Sequence, residues 1–217
     1  MKDYLTVALP KGRIQHDTMA LLEKIGICCD EMKGDSRKLI FDLPEEKMRF
    51  MVVRASDVPT YVEHGAADIG VVGKDVLMEQ GKNLYEPLDL RIGYCRMIVA
   101  EPVKLSEKDN PSEWTHVRIA TKFPKITEEH FRKKGIQVDL IKLYGSIELA
   151  PLVGLSERIV DLVSTGETLK QNGLVEVEDI MEVTSRLIVN RASLKTRYER
   201  INDLIKKLKV EVDKGGK

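Results

Sequence analysis

The stretch Ile159 to Leu174 reads I-V-D-L-V-S-T-G-E-T-L-K-Q-N-G-L. It opens on a β-branched, apolar run, Ile159 to Val163, interrupted only by Asp161, which predicts a buried strand of a parallel sheet. Ser164, Thr165, Gly166, Glu167 and Thr168 form a turn, and helix formers then continue to a stop at Asn172-Gly173. A strand, a hydroxyl-rich turn and a helix start together make an anion site. The N–H groups of the first helical turn, the positive end of its dipole and three hydroxyls are directed at one spot. Gly166 lets backbone approach a phosphate with no Cβ in the way. Asp161, just upstream, is an acceptor for sugar hydroxyls. The competing reading is ordinary N-cap chemistry, which puts Ser and Thr at many strand-to-helix turns. On residue types both readings stand, and the functional one is phosphate plus ribose.

The rest of the chain narrows the class. Its 217 residues suffice for one large or two small domains with a proper core. Lys and Arg number 35 against 35 Asp and Glu, without the basic excess of a protein that grips nucleic acid non-specifically. Cys28, Cys29 and Cys95 are odd in number and lack metal-ligand spacing, which favours a reducing compartment. The start, M-K-D-Y-L-T-V-A-L-P, is too quickly polar for a secretory signal, and no apolar run reaches membrane-spanning length. The expectation is a soluble, cytoplasmic protein with neither nucleic acid nor membrane as partner.

Outward from the opening stretch, strands alternate with helices. Leu5 to Leu9 reads as a strand ended by Pro10, and Gln15 to Lys24 as an amphipathic helix. Between them, Lys11, Gly12 and Arg13 place two cations at a helix entrance, where the dipole does not favour them unless an anion is present. Leu39 to Leu43 and Met48 to Val53 read as an antiparallel pair, with Arg37-Lys38 before it and Arg54 after it. Asp57 is expected to cap a helix through His64. Asp68 to Val72 is a further buried strand, and Gly73-Lys74-Asp75 opens the next helix. The Gly70 to Lys74 run is no P-loop, because its spacing is wrong and Asp75 stands where a magnesium-binding hydroxyl is needed.

Leu88 to Ala100 carries one strand pattern with Gly93 inside it, and Glu101 to Thr115 reads as a polar loop. Val117 to Ala120, a helix from Ile126 to Lys134 and a strand from Val138 to Leu143 follow. Tyr144 to Glu148 is another strand-to-helix turn. Ile180 to Asn190 reads as one long or bent strand, and Ser193 to Val212 as a single final helix. The class is α/β. Glu101 to Thr115 and Asn172 to Val183 are the expected crossing zones between two lobes, and a ligand cleft lies between such lobes.

Several motifs resemble those of ATP phosphoribosyltransferases, which open histidine biosynthesis. They are A-L-P-K-G-R-I from Ala8, S-R-K-L-I-F from Ser36, and V-R-A-S-D-V-P-T-Y-V-E-H-G-A-A-D-I-G-V-V-G-K-D from Val53. Y-G-S-I-E-L-A-P-L-V-G-L from Tyr144 and D-L-V-S-T-G-E-T-L from Asp161 complete the set, the last resembling a phosphoribosyl-pyrophosphate loop. The resemblance covers essentially the whole chain and is most specific in the long central motif and the Glu148 to Leu169 run.

It implies a two-lobed α/β fold like that of type II periplasmic binding proteins, with the active-site cleft between the lobes. Lobe I is placed at residues 1–92 plus 184–217 and lobe II at 93–183. The implied reaction moves phosphoribose from phosphoribosyl pyrophosphate to N1 of the adenine of ATP, releasing pyrophosphate, with Mg2+ carried by substrate phosphates rather than by assigned protein ligands. The chain length matches the short form of the family. That form works with a regulatory subunit resembling histidyl-tRNA synthetase in a hetero-octamer.

Within this picture Ser164, Thr165, Gly166, Glu167 and Thr168 take the 5′-phosphate, and Asp161 and Glu148 the ribose hydroxyls. Lys11, Arg13, Arg37 and Arg54 take the ATP and pyrophosphate phosphates, with Lys11, Arg13 and Arg37 as the catalytic cations. Cys95 is read as a core thiol, and His16, His64, His116 and His130 receive no chemistry. Two rivals remain, a nucleobase salvage phosphoribosyltransferase and a non-catalytic small-molecule-binding protein. The first usually has paired acids before its loop, whereas here Val160 precedes Asp161. The second would normally carry an export signal.

Overall fold

Apolar residues fill L-T-V-A-L-P and make it the central strand of a mixed sheet, β1 (Leu5–Pro10). The computed structural model describes residues 4–33 and 37–215; Ser36 of the S-R-K-L-I-F motif lies outside the described residues. After β1 come α1 (Arg13–Lys24), β2 (Ile40–Leu43), β3 (Met48–Val53), α2 (Val58–Glu63), β4 (Ile69–Gly73), α3 (Lys74–Gln80) and β5 (Tyr85–Asp89). The chain continues through β6 (Cys95–Pro102), α4 (Val103–Ser106), β7 (His116–Thr121), α5 (Pro124–Lys133), β8 (Gln137–Lys142) and α6 (Leu149–Leu152). It ends with β9 (Arg158–Val163), α7 (Glu167–Gln171), β10 (Leu174–Val183), β11 (Ser185–Val189), α8 (Arg191–Thr196) and α9 (Tyr198–Lys214).

Contacts divide the chain into two units, residues 1–93 with 184–217, and residues 94–183. In the first unit the strand order is β2-β3-β1-β4-β11-β5, with β1 parallel to both β3 and β4. Side-chain alternation sends Val7 and Leu9 to a core shared with Met19, Phe50 and Ile201, and Ala8 to the opposite face with Val58 and Val62. Helices therefore cover both faces. In the second unit the order is β10-β6-β9-β7-β8. Val160 and Ile119 pack with Phe131 on one face, while Ile159 and Ala120 pack with Ile147, Ala150 and Leu169 on the other.

Several elements differ from the sequence reading, each for a local reason. Leu88 to Ala100 is not one strand but parts of β5 and β6, which belong to different sheets. Arg91 (φ 53°) and Gly93 (φ 65°) break it with left-handed backbone, where glycine is favoured. Ile180 to Asn190 likewise splits. The Thr184 hydroxyl donates to Asp89 Oδ1 at 2.9 Å and its carbonyl accepts the Lys74 N–H at 3.0 Å, fastening the break to the first unit. The strand β9, expected inside a parallel sheet, is parallel to β7 but antiparallel to β6.

The polar stretch Glu101 to Thr115 is no crossing zone and lies wholly within the second unit. Glu101, 1% exposed, accepts from Arg158 Nε at 2.8 Å, and Asp109 accepts from Arg158 Nη2 at 2.6 Å and from Trp114 Nε1 at 2.7 Å. The guanidinium also stacks on the Trp114 ring, 4.0 Å from its centroid. The last helix is broken at Arg197, whose guanidinium binds the Tyr4 carbonyl and lies 3.5 Å from Asp68. The first piece, α8, is capped by Asn190, which accepts from the Ala192 and Ser193 amides, both at 2.9 Å. Asp57, expected as a cap, makes no side-chain bond to α2 and instead accepts from Ser56 Oγ.

Candidate active site

In the second unit three parallel strands, β9, β7 and β8, end on the same side, where α/β sheets usually present their ligand sites. Their carboxyl ends lead into the loop from Ser164, the residue Lys122, and the turn Tyr144 to Glu148. Two of these connections are anchored in the core by an apolar side chain, Leu169 after the first and Ile147 in the third. Ser164, Thr165 and Thr168 are exposed above this floor.

The predicted loop has the predicted turn. Gly166 is left-handed (φ 76°), and a Cβ there would stand 3.3 Å from Glu176 Oε1. Glycine is thus required by the backbone itself, whatever the loop binds. The first helical bond of α7 runs from the Lys170 N–H to the Gly166 carbonyl at 3.1 Å, so the amides of Glu167, Thr168 and Leu169 lie ahead of it. Thr165 Oγ1 stands 3.5 Å from the Glu167 amide. The Glu167 carboxylate is turned along the helix to Gln171 Nε2 at 3.0 Å. The helix has five residues, so the loop amides contribute more than any macrodipole.

Asp161 lies on the face of β9 that Ile159 and Val163 share with Ile147 and Leu169. Its Oδ1 accepts the Leu162 N–H at 2.8 Å. Burial pushes its carboxyl above the usual carboxylate range against the bond from Leu162, with Glu148 adding to the rise and Lys122 opposing it. Glu148, half-buried, occupies the N-cap position of α6. Asp161, Glu148 and the loop are therefore gathered in one place. Lys122 stands with them and was missed by the sequence reading, because nothing in its local sequence sets it apart from a solvated lysine.

In the first unit the ends of β1 and β3 are adjacent. Pro10 is in register with Val53, and the Lys11 amide donates to the Val53 carbonyl at 2.9 Å. Lys11 and Arg54 thereby leave neighbouring parallel strands side by side, both exposed. A groove of about 570 Å³ is lined by Lys11, Gly12, Gln15, His16, Arg37 and Lys38, among others. It brings Lys11 and Arg37 together, whereas Arg13 and Arg54 are not part of its lining. Arg13 is the first residue of α1, which starts two positions earlier than expected and has no acid in its first turn. A cation there is unfavourable to the helix dipole and is relieved by a nearby anion. Lys74, rejected as a P-loop lysine, is bound to both oxygens of Glu86 at 3.0 and 2.7 Å.

The remaining reactive groups are occupied or ordinary. Cys28, Cys29 and Cys95 form no disulfide, and burial pushes the Cys29 thiol up to about 12. His130 lies 2.8 Å from Glu178, and His116 lies 3.2 Å from Asp139. Among the described residues no group of three or more His, Cys, Asp or Glu side chains is arranged for a metal ion. Nor is any helix there long and apolar enough to cross a membrane.

Residues 54–210 match the family model described as HisG, ATP phosphoribosyltransferase. An ATP phosphoribosyltransferase of Citrifermentans bemidjiense is 67% identical over 212 residues, 98% of this chain and 100% of the relative. One of Acidithiobacillus ferrooxidans is 56% identical over 213 residues, 98% and 99% of the two chains. Among solved structures, a chain of the ATP phosphoribosyl transferase (HisG:HisZ) complex of Thermotoga maritima superposes with a TM-score of 0.79 at 36% identity, covering 96% of this chain and 98% of that one. The periplasmic aliphatic sulphonate binding protein SsuA of Escherichia coli aligns with a TM-score of 0.61 at 13% identity, over 97% and 72%, and shares the fold alone. By sequence along its length and by fold, the chain belongs to the ATP phosphoribosyltransferase family.

Proposed function

We propose that this protein transfers phosphoribose from phosphoribosyl pyrophosphate to N1 of ATP, giving 1-(5-phosphoribosyl)-ATP and pyrophosphate, the first step of histidine biosynthesis. The observation that carries the reading is the gathering of Asp161, Glu148 and the Ser164–Thr168 loop at the carboxyl ends of β9 and β8, in a chain of this family. The amides and hydroxyls from Ser164 to Thr168 hold the 5′-phosphate, and Asp161 and Glu148 accept from the ribose hydroxyls. Lys11 and Arg37 in the basic groove, with Arg13 and Arg54 beside it, hold the phosphates of ATP and the departing pyrophosphate.

Displacement at the anomeric carbon has oxocarbenium character, and the leaving group is a polyanion. The protein's main work is therefore electrostatic, placing fixed cations where negative charge develops. N1 of adenine attacks with its own lone pair, so no strong general base is needed, and positioning supplies much of the remaining acceleration. The substrate phosphates rather than assigned protein side chains would hold Mg2+, which would supply charge neutralisation for the departing pyrophosphate. A HisZ-type regulatory subunit, resembling histidyl-tRNA synthetase, completes a hetero-octamer in the cytoplasm. The support for that partner is the Thermotoga maritima complex.

The two halves of the assignment separate kinetically. Asp161→Ala is expected to raise KM for phosphoribosyl pyrophosphate about tenfold or more, as for the loss of a hydrogen bond to a charged group. Arg37→Ala is expected to raise KM for ATP and, through the lost contact to the departing pyrophosphate, to lower kcat. Unchanged KM values in both variants contradict the site.

A further inference from the structure

Lys122 follows directly on the register pair Thr121↔Val160, which makes Asp161 its neighbour on the adjoining parallel strand. Side chains alternate along both strands. Ala120 and Ile159 belong to the cluster under α6 and α7, whereas Val160 belongs to the opposite one. Two residues beyond Ala120 and Ile159, Lys122 and Asp161 return to the α6/α7 face, where Glu148 stands at the cap of α6. On that face β6 offers Ile98 opposite Asp161 and α7 contributes Leu169, both apolar. The charged groups acting on Asp161 are Glu148 and Lys122.

Two carboxylates close together, one of them largely withdrawn from water, resist being ionised at the same time. A carboxylic acid that keeps its proton is a poorer acceptor for a sugar hydroxyl than a carboxylate. Lys122 is exposed, and a lysine stem is long enough to bring its head to a neighbouring strand end. We propose that Lys122 is a positioning residue for the sugar-donor site, holding Asp161 as a carboxylate beside Glu148. This rests on the proposed function, in which Asp161 accepts from ribose.

The test is calorimetric binding of phosphoribosyl pyrophosphate, with magnesium, to the full chain across the acidic and neutral range. The variants are Lys122→Met, Lys122→Gln, Lys122→Arg and Asp161→Asn, with thermal melting to confirm folding. Wild-type affinity is expected to fall on the acid side as Asp161 takes up its proton. In Lys122→Met and Lys122→Gln that fall moves about half a pH unit higher, with affinity about threefold weaker inside the window, and Lys122→Arg restores both. If Lys122→Met and Lys122→Gln keep the wild-type profile while Asp161→Asn binds weakly, the inference is overturned and the site assignment stands. A loss equal at every pH, with no shift of the acid limb, also overturns it, because it marks direct contact with the ligand. Wild-type binding by Asp161→Asn at every pH overturns both the inference and the site assignment.

Discussion

The Thr121 hydroxyl donates to the Val160 carbonyl at 2.8 Å, from the last position of β7 to the middle of β9. The same oxygen accepts the Phe123 N–H at 2.9 Å, and Thr121 is fully buried. One side chain thus locks the end of β7, just before Lys122, to β9 just before Asp161. Thr121→Val keeps the shape but strands the buried Phe123 N–H. It is expected to lower unfolding free energy by about 1–3 kcal/mol. Urea denaturation measures this, and an unchanged midpoint contradicts the role given to the hydroxyl.

Asp161 should cost stability where it serves binding. Burial raises its folded carboxyl above the value in the unfolded chain. Between those two values the folded state binds more protons, so stability falls as pH rises through the window and stays lower above it. Asp161→Asn removes the charge and keeps an acceptor for the Leu162 N–H. It is expected to raise the melting temperature at neutral pH, by about 2–4 °C per kcal/mol recovered in a chain of this size, while weakening sugar-donor binding. The gain should shrink in melts taken at acidic pH. A lower melting temperature at neutral pH speaks against a desolvated carboxylate at this position.

The Glu101–Arg158–Asp109 cluster makes a different prediction. Removing Glu101 leaves the buried Arg158 Nε without its acceptor and the guanidinium with Asp109 alone, so Glu101→Ala is expected to cost about 1–3 kcal/mol. The double variant Glu101→Leu with Arg158→Met should recover most of that loss, because well-packed apolar groups replace a buried pair at little net cost. Chemical denaturation of the three proteins decides it. Equal stability of Glu101→Ala and wild type would mean that the cluster carries no weight in the fold.

What could be read from the sequence follows the range of the interactions concerned. The turn at Gly166 and the strand before it were legible, because a left-handed turn and an apolar strand are written in adjacent residues. The gathering of Asp161 with Glu148 came only with the family motifs, since the two are brought together by α6 packing over β9. The division of Leu88 to Ala100 was hidden because Leu88, Leu90 and Ile92 carry an apolar alternation across the break, and only Arg91 and Gly93 mark it. Glu101 and Asp109 looked like loop acids because their partner, Arg158, is 57 and 49 residues away in the chain. Lys122 was invisible for the same reason. Nothing local distinguishes it from a solvated lysine until the β7–β9 register sets it beside Asp161.

The most direct test of the central claim is formation of the adduct itself. The chain, together with a HisZ-type regulatory subunit, is incubated with ATP, phosphoribosyl pyrophosphate, magnesium and pyrophosphatase, and ultraviolet absorbance is followed, with the product identified by mass. The account predicts accumulation of 1-(5-phosphoribosyl)-ATP, lost in Asp161→Ala at low sugar-donor concentration and recovered as that concentration is raised. Transfer only to free nucleobases, or no adduct with the regulatory subunit present, would contradict it.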